Sequence, residues 1–162
     1  MIVVADTSCI CYLILLGSIE LLPQLYGGVT IPNAVYLELQ ADNAPTQVKQ
    51  WIQNYPQWLR VESVEVPLDS ELEKLDAGET EAIILAERFQ ADLLIVDDRF
   101  ARIIARKRGL TITGLLGVLY DAAKSGAIDL AEKFEALRNT SFFVNPKLLD
   151  SLLQMFEQSK NQ

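Results

Sequence analysis

The sequence predicts a three-layer α/β/α sandwich built on a central, mostly parallel sheet of four to five strands. Two apolar runs, residues 1–5 and 93–96, are rich in Val, Ile and Leu and lack polar alternation, which is typical of strands buried on both faces. Segments with helical patterns separate the apolar runs, and this alternation favours a parallel sheet covered by helices on both sides. A chain of 162 residues is long enough for one domain with a sizeable core.

Capping and turn residues divide the first half of the chain. Ser8 is predicted to cap the first helix, which ends at Gly17, and Pro32 fits the first turn of the third helix. Alternating apolar residues after Leu59 predict an edge strand with a break at Ser63. In chain order, the predicted elements are a strand at 1–5, helices at 9–16 and 18–26, a strand at 29–31, helices at 32–40 and 46–55, and a strand at 59–66.

The second half is divided in the same way. Ala82, Ile83 and Leu85 contribute to the apolar face of a strong helix that opens at residue 76. Gly109 stops a basic helix, and Gly126 closes a later one. In chain order, the predicted elements are a helical turn or two at 69–75, a helix at 76–88, a strand at 93–96, a helix at 98–107, a strand at 111–113, helices at 114–124 and 129–137, and an amphipathic helix after Pro146.

The chain is predicted to form one domain with a short appendage. Residues 1–138 hold the α/β domain, and residues 139–162 form a C-terminal helical tail packed on the same domain. No internal repeat or linker interrupts the chain. The apolar patch at 142–144 is predicted to be a packing flap or an oligomer contact, so a homodimer is a candidate assembly.

Composition excludes several classes of site. The chain has no histidine, which removes the Ser–His–Asp triad, the Cys–His pair and His-ligated zinc. Cys9 and Cys11 match neither a four-ligand zinc site nor a C-x-x-C redox motif, and we expect both to be buried small apolar residues. No uncharged apolar run reaches the ~18–20 residues of a membrane helix, and no signal peptide is recognisable, which predicts a cytoplasmic protein without membrane contact.

Two acidic residues directly follow the two apolar strands. Because the carboxyl ends of parallel strands share one edge of the sheet, Asp6 and Asp97 are expected to face the same cleft. The alternative is that each aspartate caps the next helix. Glu38, within an apolar stretch, and Glu79, at a helix start, are further candidates, although Asp76 and Glu79 also have the spacing of a capping box.

Convergence of these four acids would require a counter-charge. Carboxylates in a partly desolvated site repel one another unless some are protonated or a divalent cation lies among them. Oxygen-only ligands favour Mg²⁺ or Mn²⁺, and such ions activate water and stabilise the charge on a phosphodiester. A phosphodiesterase without histidine is therefore chemically reasonable.

Four segments in this order resemble the PIN-domain family. They are Asp6-Thr7-Ser8 after the first strand, Glu38 within residues 31–39, Leu75-Asp-Ala-Gly-Glu79, and Leu-Leu-Ile-Val-Asp97-Asp98-Arg-Phe100. The resemblance covers Met1 to about Ala127. The tail is similar to that of a small VapC-like subgroup of predicted nucleic-acid-binding PIN proteins.

The resemblance implies a PIN-like catalytic domain with divalent-metal-dependent ribonuclease activity, using Mg²⁺ (or Mn²⁺), and RNA as substrate. A toxin of a toxin–antitoxin pair would also bind a small antitoxin protein. The third acidic position is Glu here rather than the more common Asp, which leaves the metal geometry less defined there. By motif, Asp6, Glu38, Glu79 and Asp97 match the catalytic and metal-binding acids, Asp98 is an outer-shell metal partner, and Thr7 or Ser8 is the supporting hydroxyl.

A cationic row follows the last of these acids. Arg99, Arg102 and Arg106 share one face of the predicted helix, and we expect them to contact the RNA backbone. The alternative is a solvated face whose cations favour the C-terminal end of the helix. Residues 106–108 are predicted to be merely that solvated end. A net charge of −8 argues against a general nucleic-acid coat, but five of the 14 basic residues lie within residues 99–108.

Three functions are compared. A ribonuclease, plausible as a toxin, is the leading hypothesis, and a catalytically inactive PIN-like module that binds RNA or protein is the alternative. A phosphoreceiver or aspartyl phosphatase is the third. It is disfavoured because no D-x-D motif follows the first strand, and the strand at 111–113 lacks the lysine that a receiver uses.

Overall fold

Residues 3–113 contain a five-stranded parallel sheet, in a computed structural model that describes residues 1–161. The strand order is β3-β2-β1-β4-β5. The predicted α/β sandwich is confirmed. The strands are β1 (Val3–Ala5), β2 (Val29–Pro32), β3 (Leu59–Glu62), β4 (Leu93–Ile95) and β5 (Ile112–Thr113).

Nine α-helices lie among the described residues, and a short 3₁₀ turn at Ser70–Leu72 precedes the fifth. Several predicted boundaries were wrong, and the second helix begins at Leu21 rather than at Ser18. The first helix begins at Thr7, so that Asp6 and not Ser8 holds the N-cap position, and β3 ends at Glu62, where the alternation breaks. The helices are α1 (Thr7–Leu15), α2 (Leu21–Tyr26), α3 (Asn33–Glu38), α4 (Thr46–Gln53), α5 (Ala77–Arg88), α6 (Arg99–Lys107), α7 (Leu115–Lys124), α8 (Leu130–Arg138) and α9 (Pro146–Lys160).

The order of the strands places helices on both faces of the sheet. The chain steps from β1 to β2 to β3 in one direction and then returns to β4 and β5 on the other side of β1. Right-handed connections therefore favour α1 and α4, which pack together, on one face and α5 and α6, which pack together, on the other, while α3 packs against the start of α5. The core agrees with this, because Val4 and Leu94 of the sheet cluster with Ile83 of α5 and Ile104 of α6.

The central strand explains the apolar run at the start of the sequence. Val3, Val4 and Ala5 are each at most 1% exposed, since one or the other face of the sheet buries every side chain. Val4 pairs with Thr30 on one side and Leu94 on the other. The residues that follow β1 and β4 therefore emerge side by side at the carboxyl edge of the sheet.

The chain divides into two compact units, residues 1–115 and the residues from Leu116 onward. In the second unit the Tyr120 ring meets the Phe156 ring edge-on at 6.0 Å between centroids, and Arg138 lies 3.4 Å from Asp150. The predicted boundary between 138 and 139 lies inside this unit, and the domain assignment stays a prediction. None of the helices within residues 1–161 is long and apolar enough to cross a membrane.

Candidate metal centre

Asp6 is held at the sheet edge by its backbone. Its N–H donates to the Ile95 carbonyl oxygen at 2.9 Å, which places Asp6 beside the end of β4. Although Asp6 is at the N-cap position of α1, its side chain makes no capping bond, so that alternative is wrong here. The side chain is buried, and its Oδ1 has no hydrogen-bond partner among the described residues.

Burial dominates the protonation of Asp6. Loss of solvent raises the pKa of its carboxyl from 3.8 to about 8; the Thr7 N–H opposes this, and the charges of Asp76, Glu79 and Glu38 add to it. A buried carboxylate with an unpartnered oxygen is costly unless it binds a proton or a cation. The protein without metal therefore keeps Asp6 protonated at neutral pH.

Glu38, at the end of α3, connects three helices. Its carboxylate accepts hydrogen bonds from the Thr7 hydroxyl of α1 and, at 3.1 Å, from the Gly78 N–H at the start of α5. Burial raises the pKa of Glu38, and these two bonds lower it. The Thr7 hydroxyl thus positions Glu38, whereas the family resemblance implies that Thr7 or Ser8 orients the first aspartate, Asp6, or a metal-bound water.

Glu79 both completes a capping box and lines the cleft, the two roles that the sequence analysis predicted as alternatives. Asp76 Oδ1 accepts from the Glu79 N–H at 2.7 Å, and Glu79 Oε1 accepts from the Asp76 N–H at 3.1 Å, which completes a capping box at the start of α5. Burial raises the pKa of Glu79 to about 7, and the charges of Asp76, Asp98 and Glu38 contribute. The cap therefore fixes a partly desolvated acid.

Four carboxylates line one cleft of about 340 Å³. Asp76 is the acid that the sequence analysis missed, because it was read only as a helix cap. Its signal was present, since it belongs to the same Asp-Ala-Gly-Glu segment as Glu79. The carboxylates are those of Asp6, Glu38, Asp76 and Glu79, and Thr7, Ser8 and Cys11 contribute to the same wall.

Asp97 lies at the same edge of the sheet, but its carboxylate is turned elsewhere. Both carboxylate oxygens accept from the N–H of Leu115, the first residue of α7, at 3.0 and 3.3 Å. Asp97 does not cap α6; Asp98 does, by accepting from the Ala101 N–H at 3.0 Å. Asp97 is absent from the residues that line the cleft, and burial raises its pKa.

The donor set nevertheless fits a hard divalent cation. Within residues 1–161 no three or more acidic or cysteine side chains stand in a ready metal-binding arrangement. Asp6, whose Oδ1 is buried and unpartnered, nevertheless lines a cleft together with three other carboxylate residues, and oxygen ligands suit Mg²⁺ or Mn²⁺. Asp6, Glu38 and Glu79 are the residues that would hold such an ion.

Comparison with known proteins agrees with the fold and identifies the family. The model of the DUF3368 family, a PIN domain, matches residues 2–158. The chain belongs to this family. A PilT N-terminus domain protein from the hyperthermophilic archaeon Sulfolobus solfataricus P2 has a similar structure, with a TM-score of 0.55 and 17% identity over 75% of this chain and 93% of that one. No curated protein matches the sequence.

The basic helix of this PIN domain, α6, carries two kinds of arginine. Arg99 and Arg106 are exposed, and no carboxylate among the described residues lies within 4 Å of either guanidinium. Arg102 is half-buried, and its charge lowers the pKa of Asp97, against the larger effect of burial. The three arginines therefore remain available as the predicted RNA contacts.

Arg108 corrects the prediction that residues 106–108 are only a solvated end. Its guanidinium forms ion pairs with Asp69, with Glu71 at 3.0 Å and with Glu87 at 2.6 Å. Its side chain is only 16% exposed. In this PIN domain Arg108 therefore links the end of α6 to Glu87 of α5 and to residues 69–71, which precede α5 in the chain.

Proposed function

We propose that this PIN domain is a divalent-metal-dependent ribonuclease that cleaves RNA phosphodiester bonds. The observation that carries the proposal is Asp6, whose buried carboxylate has one unpartnered oxygen and which lines a cleft together with three further acids. PIN domains are generally nucleases, which supports the same reaction class. The basic helix that follows Asp97 supports an anionic polymer as substrate.

The proposed cation is Mg²⁺ or Mn²⁺, held by Asp6, Glu38 and Glu79; Asp97, whose carboxylate binds the Leu115 N–H, would have to turn toward the cleft to add a ligand from the neighbouring strand. When bound, it supplies Lewis-acid chemistry, making water a better nucleophile and stabilising charge on the phosphodiester. The surrounding residues of the protein fix the positions of the proposed metal ligands. Asp6 follows a rigid strand, Thr7 and Gly78 bind the Glu38 carboxylate, and the capping box fixes Glu79.

Calorimetric titration with Mn²⁺ tests the metal site directly. We expect saturable binding to the wild type and its loss in Asp6→Asn, because the amide removes the buried negative charge that the cation neutralises. Asp121→Asn, an exposed change on α7 with the same chemistry, is the matched control and is expected to bind like the wild type. Equal binding by all three proteins would show that Asp6 is not a ligand.

Cleavage of RNA tests the reaction. Purified wild-type protein is incubated with structured RNAs in Mg²⁺ or Mn²⁺, and the products are resolved on denaturing gels. We expect cleavage that EDTA abolishes, that Asp6→Asn and Asp97→Asn lower by at least about a hundredfold, and that Asp121→Asn leaves unchanged. Metal-dependent cleavage that survives Asp6→Asn would contradict the assignment of the site.

One observation favours the alternative of a PIN domain that binds without cleaving. The Asp97 carboxylate is occupied by the Leu115 N–H and does not line the cleft. RNA binding that is unaffected by EDTA, together with no cleavage in either metal, would support this binding module over the nuclease.

We also propose, from the resemblance alone, that the enzyme is the toxin of a toxin–antitoxin pair and that a small antitoxin protein blocks its cleft. Controlled expression tests this. Wild type is expected to slow growth, whereas Asp6→Asn does not. Unrestrained wild-type expression without a growth penalty would reject the toxin role but leave the ribonuclease proposal intact. The homodimer and the cytoplasmic location stay predictions.

A further inference from the structure

The outer face of α6 is aromatic as well as cationic. Phe100 is 63% exposed and Ile103 is 44% exposed, although both lie in an ordered helix. The inward face is already filled, since Ala101, Ile104 and Ala105 are buried in the core cluster. Phe100 is therefore mostly exposed to water, and leaving apolar ring surface exposed has a cost that a partner could recover.

The charges beside Phe100 favour a polyanion over an apolar protein surface. Arg99 precedes it directly, and Arg106 is exposed near the end of the same helix; neither has a carboxylate partner in residues 1–161. Unpaired arginines are notable in a chain with 22 acidic and 14 basic residues. Lys107 and Arg108, at the end of the same helix, do find carboxylates. The face is thus complementary to a phosphate backbone.

The position of the ring links this face to the acidic edge of the sheet. Phe100 lies in the first turn of α6, which Asp98 caps directly after Asp97. Asp98 also lies close enough to Glu79 for its charge to affect that residue. An RNA strand bound at the first turn of α6 would therefore lie at the carboxyl edge of the sheet, next in the chain to Asp97 and Asp98.

We propose that Phe100 is a stacking platform for one unpaired base of an RNA strand, with Arg99 and Arg106 holding the phosphates on either side. This rests on the proposed ribonuclease function and deepens it, because it makes the substrate single-stranded where it enters the cleft. A base in a duplex is stacked on its neighbours and cannot offer its face to the ring. Stacking on an aromatic ring tolerates every base, so the platform selects strandedness and not sequence.

Binding of a short labelled oligoribonucleotide tests the platform. Full-length protein carrying Asp6→Asn, which prevents turnover, is titrated against the single strand and against its duplex by fluorescence anisotropy. We expect Phe100→Ala to weaken single-strand binding by about tenfold and Phe100→Trp to restore it. Duplex binding is expected to change little. Phe143→Ala, at another exposed aromatic ring, is the control and is expected to have no effect.

A spectroscopic readout separates stacking from a general loss of charge or fold. An oligonucleotide with 2-aminopurine at one position is expected to be quenched by the parent protein and by Phe100→Trp, but not by Phe100→Ala. Arg99→Gln and Arg106→Gln are each expected to reduce the salt dependence of binding by about one unit of slope. Phe100→Ala is expected to leave that slope unchanged.

The outcomes distinguish this inference from the proposed function. If wild type cleaves RNA but Phe100→Ala binds single strands as the parent does, the platform is wrong and the nuclease stands. If wild type neither binds nor cleaves RNA, both fail. If Phe100→Ala alters the oligomeric state in light scattering and not the affinity for RNA, the face is a protein interface and the platform is rejected.

Discussion

Two glycines determine how closely two of the predicted carboxylates approach the backbone. A Cβ at Gly78 would lie 2.8 Å from Oε1 of Glu38, and one at Gly114 would lie 2.5 Å from Oδ1 of Asp97. Both distances are far shorter than ordinary contact, so each carboxylate occupies space that only glycine leaves free. In each case the group that must move is the end of a side chain, not the backbone.

Gly78→Ala and Gly114→Ala are therefore expected to weaken Mn²⁺ binding by about tenfold or more without unfolding the protein, because the added methyl displaces a proposed ligand. Ala77→Ser, at an exposed position in the same turn as Gly78, is the control. Calorimetry measures affinity, and thermal unfolding checks the fold. A Gly78→Ala protein that binds Mn²⁺ as tightly as wild type would show that the position of Glu38 is irrelevant to the metal.

The raised pKa of Asp6 predicts how stability depends on pH without metal. Between the unfolded value near 3.8 and the folded value of about 8, the folded state holds a proton that the unfolded state has released. Stability from this group is complete below the lower value and is lost as pH rises through the folded pKa. The slope is at most about 1.4 kcal/mol per pH unit.

Asp6→Asn is expected to remove this slope, so that the variant exceeds wild type in stability most clearly at pH 8. Urea unfolding in EDTA at several pH values measures it. Saturating Mn²⁺ is expected to stabilise the wild type but not Asp6→Asn, because a ligand that binds only the folded state shifts the unfolding equilibrium. Parallel pH profiles for the two proteins would contradict the burial of an unpaired carboxyl at this site.

At the level of elements, the acids serve helix ends and the cleft at the same time. The start of α5 receives its own capping box and the Glu38 carboxylate, while Glu81 of α5 accepts from the Ala34 N–H at the start of α3, at 3.0 Å. Helix N-termini favour negative charge. The sequence could not separate capping from cleft lining at Glu79, because both are true there.

What the sequence predicted depends on local patterns. The apolar runs before Asp6 and Asp97 were sufficient to predict buried parallel strands, and Asp76 with Glu79 was sufficient to predict a capping box. By contrast, the ion pairs of Arg108 and the close approach of Gly114 to Asp97 join residues 17 or more positions apart. Contacts at such a separation produce no periodic pattern in the sequence from which they could be predicted. Only the order of the strands brings them together.

Asp98→Ala tests whether Asp98, rather than Asp97, caps α6 after the end of β4. Because Asp98 caps α6, its loss is expected to lower the free energy of unfolding by about 1 kcal/mol. Asp98→Asn keeps an acceptor for the Ala101 N–H and is expected to be nearly neutral. Urea denaturation measures both. An equal loss in the two variants would mean that the charge of Asp98, and not its cap, stabilises the helix.

At the scale of the whole molecule, opposite charges are arranged in separate places. No Lys or Arg among the described residues lines the acidic cleft, whereas Arg108 forms ion pairs with Asp69 and Glu71, before α5, and with Glu87, near the end of α5. Arg108 and Lys107 together lower the pKa of Glu71, with the Arg108 hydrogen bond as the largest cause. The first arrangement favours binding of a cation, and the second favours stability.

Arg108→Met is expected to lower the free energy of unfolding by about 1–2 kcal/mol, because it leaves three carboxylates close together without their shared partner. Lys107→Met is the control. Lys107 is 65% exposed and, among the described residues, forms an ion pair with Glu71 alone, so its loss is expected to cost less than about 0.5 kcal/mol. High salt is expected to reduce the difference between the two variants.

The pH dependence of the same variants completes the test. The lowered pKa of Glu71 means that this stabilisation is complete above the ordinary value of 4.5 and is lost as pH falls through the folded value. Wild type and Arg108→Met should therefore converge in acid and separate above pH 5. A double-mutant cycle with Glu87→Gln isolates the 2.6 Å pair. Strict additivity of Arg108→Met and Glu87→Gln would show that the cluster acts through packing of the arginine stem and not through its charge.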